Sequence, residues 1–131
     1  MKARYWLLTA LYCAGIFALS SRSQVPDPGF SFPHLDKAAH FVVYAGLATV
    51  VSVGRRRSGN SAGWRGLLFP VFFALAYGLT DEVHQRFVAQ RTFDLLDLAA
   101  DGAGALAASA LLAAWWRRAD ARQAVSSPGG S

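Results

Sequence analysis

The sequence predicts an all-α protein, a four-helix transmembrane bundle with both termini cytoplasmic. Three observations point there. The 131 residues are 53% apolar and only 16% charged, with a mean hydropathy of +0.26, which leaves too few charges to coat a water-soluble globule. The apolar residues gather in four stretches without Asp, Glu, Lys or Arg, at residues 5–21, 38–54, 66–80 and 102–116. Cations border these stretches. Counted from a cytoplasmic amino terminus, Lys2, Arg4, Arg55, Arg56, Arg57, Arg65, Arg117, Arg118 and Arg122 lie inside, against Arg22, Lys37, Arg86 and Arg91 outside, the bias that orients membrane helices.

The first span, 5–21, follows Lys2 and Arg4. Its competing reading is a secretory signal, since Ala18 and Ser20 stand at the small-residue spacing of a cleavage site, although an uncharged run of 17 residues exceeds a usual signal core. Residues 21–36 contain Pro26, Pro28, Gly29 and Pro33 and read as an outer loop, with Phe30 and Phe32 resting on the interface. The second span, 38–54, runs into a short basic connection at 55–65. The third, drawn over 66–85, meets a tight outer connection and then the fourth, 97–116, which ends on Trp115 and Trp116 as an inner aromatic belt. One domain thus covers 1–122, and residues 123–131 read as a disordered tail.

Several classes drop out. The lone Cys13 excludes an intramolecular disulfide and a thiolate metal cage. A net charge of +5 suggests nucleic acid, but the cations serve the span borders, so no nucleic-acid partner is expected. Membrane lipids are the expected partners, and an oligomer is allowed.

Span length turns the argument toward function. A helix needs about 20 residues to cross a hydrocarbon core of roughly 30 Å, whereas the third and fourth stretches offer 15 each. Lengthening them outward takes in Asp81, Glu82 and Gln85 on one, Asp97 and Asp101 on the other. Carboxylates in lipid are expensive, so they should face the bundle interior and mark a site. At 100° per residue Asp94, Asp97 and Asp101 share one stripe, continued by Gly104 and Ala108, and small residues four apart admit a neighbouring backbone. Asp36, His40, Tyr44 and Ala48 recur every four residues on the second helix, as Gly78, Asp81 or Glu82, and Gln85 do on the third. Asp27, Asp36, Asp81, Glu82, Asp94, Asp97 and Asp101 all fall on the outer side, leaving only Asp120 of the eight acids inside.

The ordered fragments Asp36-Lys37-x-x-His40-x-x-x-Tyr44, Glu82-x-x-Gln85 and Arg91-x5-Asp97-x3-Asp101-x2-Gly104 resemble the VanZ-like family, named for a member associated with teicoplanin resistance. The likeness covers roughly residues 36–116. It departs at Asp101, where the family often has Asn, and at Ala108, where it often has Gly. The resemblance implies a small multi-pass protein of the bacterial plasma membrane, linked in some members to glycopeptide tolerance.

The expected ligand-binding set is Asp36, Lys37, His40, Tyr44, Glu82, Gln85, Arg91, Asp97 and Asp101. It would take a lipid or cell-wall precursor headgroup, with Lys37 and Arg91 for phosphate and the acids for hydroxyl or ammonium groups. The alternative is a membrane-embedded enzyme in which Glu82 or Asp101 is general base and His40 its acid or orienter. Each residue also has a plain structural reading: Arg91 locking two helix ends, one Asp capping the fourth helix, Tyr44 packing with its hydroxyl bonded across helices. No cofactor and no metal are expected. His84, two residues from Glu82, points to another helix face, and His40 pairs more economically with a carboxylate.

Overall fold

In hydrocarbon a chain must satisfy every backbone N–H and C=O from within itself, so uncharged stretches of this length become helices. The computed structural model describes residues 1–22, 35–60, 63–89 and 93–126. They hold four helices, α1 (Ala3–Ser20), α2 (Leu35–Arg57), α3 (Gly63–Gln85) and α4 (Leu95–Ser126), and no strand. All four are long and apolar enough to cross a membrane. The Pro-bearing part of the first loop with Phe30 and Phe32, Arg91, and residues 127–131 of the expected tail lie outside the described residues.

The helices run past the uncharged stretches. α3 has 23 residues and carries Asp81, Glu82 and Gln85 within its last turn or so. α4 has 32 residues and starts two residues before Asp97. Its far end continues beyond Trp116 and through residues 123–126, which the sequence assigns to the tail. Arg117, Arg118, Ala119, Ala121, Arg122 and Gln123 are good helix formers, so nothing stops the helix where the apolar stretch stops. α2 ends where Gly59 takes φ 79°, with Asn60 N–H donating to Arg55 C=O and Gly59 N–H to Arg56 C=O. This paired closure needs the left-handed conformation that glycine adopts freely.

Packing centres on α2, which lies chiefly against α4 and also touches α3 and α1. α2 and α4 come close at Gly104, where an added Cβ would run into the backbone carbonyl of Phe41. Small residues thus bring the two backbones together, as expected from the stripe on α4. Ile16, Tyr44, Leu47, Ala48, Val51, Ala74 and Ala105 form the buried core. α1 is fastened to the bundle by Tyr12 Oη donating to the Val43 carbonyl at 3.0 Å and by Tyr77 Oη donating to the Cys13 carbonyl at 2.6 Å. Leu7, Leu11, Val42, Phe72 and Leu111 are exposed on the outside, as suits a lipid-facing surface.

The two ends differ in charge. At one, Lys2 N–H donates to Ser58 Oγ, Arg56 pairs with Asp120 at 2.6 Å, and Arg55 and Arg56 lie over the rings of Phe69 and Trp116. The amino terminus, the α2–α3 connection and the late part of α4 therefore meet at a basic end. The opposite end gathers Asp36, Asp81, Glu82, Asp94, Asp97 and Asp101.

Candidate functional site

The acidic end is built by three helices, each placing polar side chains on its buried face. α2 supplies Lys37, His40 and Tyr44, α3 supplies Glu82, and α4 supplies Asp97 and Asp101. Asp101 lies six residues into α4, about 9 Å below its start at the helical rise. It is fully buried, as is Glu82.

Lys37 reaches across from α2 to α4. Its ammonium donates to Asp36 at 2.8 Å, Asp94 at 2.7 Å and Asp97 at 2.8 Å. Three donors meet three carboxylates, which leaves none for the phosphate contact suggested by the sequence. Asp94 is the cap of α4: its Oδ1 accepts the Leu96 N–H at 2.8 Å and its carbonyl accepts the Asp97 N–H. Lys37, and secondarily the Leu96 amide, hold the Asp94 carboxyl below the usual carboxylate range.

Deeper in the bundle, His40 Nδ1 lies 2.9 Å from Asp101 Oδ1, and His40 Nε2 lies 3.8 Å from Asp97 Oδ2. The rings of His40 and Tyr44, one turn apart on α2, are parallel within 3°. Glu82 Oε2 accepts the Asp94 backbone N–H at 3.0 Å. Six buried side-chain atoms have no hydrogen-bond partner among the described residues, and three of them gather here, Tyr44 Oη, Glu82 Oε1 and Asp101 Oδ2; the others are Ser52 Oγ, Arg55 Nε and Ser109 Oγ. Buried polar groups are normally paired, so this coincidence on three helices is unusual. Gly78 makes the space: an added Cβ there would lie 2.6 Å from Asp101 Oδ2 and 3.3 Å from Tyr44 Cε1.

Of the expected set, the structure joins Asp36, Lys37, His40, Glu82, Asp97 and Asp101 through ion pairs or through the shared contacts of Asp94 and His40, with Tyr44 alongside. Gln85 is drawn elsewhere: its amide donates to Asp81 Oδ2 at 3.3 Å, and Ser20 Oγ donates to the other Asp81 oxygen, a cluster that ties α1 to α3. Arg91 is outside the described residues. Asp94 is the participant missing from the expected set, although its place on the Asp94–Asp97–Asp101 stripe is visible in the sequence. Gly78 is likewise a member whose role depends on facing Asp101.

Residues 4–117 match the family model described as VanZ/LLP1. The chain belongs to the VanZ/LLP1 family. The VanZ/LLP1 match begins in α1 and ends in α4, so it takes in every residue of the acidic cluster and extends the likeness of residues 36–116 to the first helix. No curated protein and no solved structure matches the chain.

Proposed function

We propose that this VanZ-type membrane protein binds the headgroup of a membrane lipid or lipid-linked cell-wall precursor at its acidic end, that this end faces away from the cytoplasm, and that binding contributes to glycopeptide tolerance. The observation that carries the reading is the trio of buried, unpartnered atoms, Tyr44 Oη, Glu82 Oε1 and Asp101 Oδ2, supplied by three helices around one histidine. Acceptors in an acid-rich setting suit a group that donates hydrogen bonds or carries positive charge. The ligand chemistry is therefore amine or hydroxyl; at the same end Asp36, Asp94 and Asp97 already hold one ammonium, that of Lys37.

The test is native mass spectrometry of the protein from nanodiscs of equal phosphatidylethanolamine and phosphatidylglycerol, with EDTA present throughout. Retention of the amine-bearing lipid in preference to the anionic one, lost in Glu82→Gln and Asp101→Asn, is expected. Equal retention of both lipids, or no change in the two variants, would overturn the reading.

A catalytic reading is favoured by one observation, the orientation of His40 by Asp101 beside Glu82, which is an acid–base arrangement. It requires that headgroup or precursor profiles differ between membranes with and without the protein, and identical profiles would sink it.

A further inference from the structure

We propose that His40, Glu82 and Asp97 form a binding site for one divalent transition-metal cation of the Zn2+ or Mn2+ kind. The inference stands without the headgroup reading, because it needs no lipid. One ligand atom from each of the three residues lies within 4.8 Å of the others, although they come from three different helices.

Each side chain is held by one atom and leaves another free. His40 Nδ1 lies 2.9 Å from Asp101 Oδ1; an ionised Asp101 can only accept there, which in a neutral imidazole puts the lone pair on Nε2, facing Asp97 Oδ2 at 3.8 Å. Asp97 uses Oδ1 to accept from Lys37 at 2.8 Å. Glu82 uses Oε2 to accept from the Asp94 amide, and its Oε1 is buried without a partner among the described residues. That unpartnered oxygen, on a side chain wholly removed from solvent, is the observation that lifts the cluster above a chance gathering of acids.

The second layer of the site is also present. A carboxylate on the far nitrogen of a ligating histidine sets its tautomer and orientation and raises its basicity; Asp101, fully buried, occupies that place behind His40. Charge points the same way. Within the contact cluster itself, Asp36, Asp94, Asp97 and Asp101 bind Lys37 or His40 and Glu82 lies beside them, so five acids face two cations and a dication offsets the surplus. One imidazole with two carboxylates suits Zn2+ or Mn2+ better than the all-oxygen shells of Ca2+ and Mg2+. Donors around a tetrahedral ion stand about 3.4 Å apart for metal–ligand bonds near 2.1 Å. The three atoms reach that spacing by a closure of about 1.4 Å at most. Three protein donors leave one coordination position open to water or a ligand oxygen.

The competing occupant of the gap between Nε2 and Asp97 is a proton, which would make His40 an imidazolium bridging two carboxylates. The discriminating experiment uses the full chain in detergent, stripped with EDTA and titrated near neutral pH with Zn2+ against a chromophoric chelator and with Co2+ followed by visible absorption. Expected are about one equivalent per chain and a Co2+ ligand-field band, as for a built site. His40→Ala and Asp97→Asn lower the affinity at least about 100-fold, whereas Asp101→Asn, acting through His40, lowers it about 10- to 100-fold with the band shape kept. His84→Ala leaves binding unchanged. No saturable uptake by the wild-type chain overturns the proposal whatever the variants do. So does uptake that survives His40→Ala or vanishes in His84→Ala. Metal uptake without lipid preference fails only the headgroup reading, and lipid preference without metal uptake fails only this one.

Discussion

Glu82 Oε2 accepts the backbone N–H of Asp94 at 3.0 Å, tying the last turn of α3 to the cap of α4. The same Asp94 carboxylate accepts from Lys37 on α2 at 2.7 Å. Three helices are thereby joined through one residue that precedes α4, and the acids deeper in the bundle inherit their positions from that junction.

Replacing Glu82 separates its shape from its charge. In EDTA, Glu82→Gln keeps an acceptor for the Asp94 amide and removes one acid from an acid-rich interior, so its thermal midpoint is expected to equal or exceed that of the wild type. Glu82→Ala leaves a buried donor unsatisfied and a void, at a cost of about 2 kcal/mol or more. Equal midpoints for the wild type and Glu82→Ala would show that the link bears no stability.

Glycine substitutions should sort by what faces them. Gly104→Ala drives a methyl against the Phe41 backbone, which cannot move aside, and should cost about 3 kcal/mol or more and separate α2 from α4. Gly78→Ala meets the Asp101 carboxylate and the Tyr44 ring, side chains that can shift, so about 1–3 kcal/mol is expected. Gly15 has nothing within 4 Å; Gly15→Ala should be neutral or stabilising by up to about 1 kcal/mol. Thermal unfolding in detergent gives the order, and Gly15→Ala proving the worst of the three would contradict the packing described.

The Asp94 carboxyl is held below its ordinary range by Lys37. A lowered folded-state value contributes stability above the unfolded value, near pH 3.9, and loses it as pH falls through the lowered one. Asn caps helices as well as Asp does, so Asp94→Asn isolates the charge. The variant should be less stable than the wild type at neutral pH, and the gap should close as the pH falls below the ordinary aspartate range. A gap that stays constant to acid pH would mean that the ion pair contributes nothing.

The cations of the basic end predict that it faces the cytoplasm. A fluorescent protein fused after Ser126 should fluoresce and a phosphatase there should be silent, while a phosphatase fused after Arg22 should be active. An active phosphatase at the carboxyl terminus would invert the bundle and put the acidic end in the cytoplasm.

Much of the fold was legible without coordinates, since uncharged length and bordering cations are properties of the chain read along one dimension. The expectation that the third and fourth spans draw Glu82, Asp97 and Asp101 into helices came from counting residues against bilayer thickness. Spacing alone also aligned Asp36, His40 and Tyr44 on one face of α2. It misjudged the far end of α4, because charged residues that end an apolar stretch are still good helix formers. It did not show that Asp94 would meet both Lys37 and Glu82, or that Gln85 would bond Asp81: position on a helix face does not say which atoms will pair.

The amino-acid sequence by itself determined that four apolar rods cross a membrane and that acids crowd one end, because hydrophobic length and charge are summed along the chain. Only tertiary structure decided that His40 meets Asp101 with one nitrogen and Asp97 with the other, that Lys37 spends all its donors on carboxylates, and that Gly78 opens room for both Asp101 and Tyr44. Those pairings depend on the rotation and axial register of packed helices, and a shift of a few ångströms, invisible to residue spacing, exchanges one partner for another.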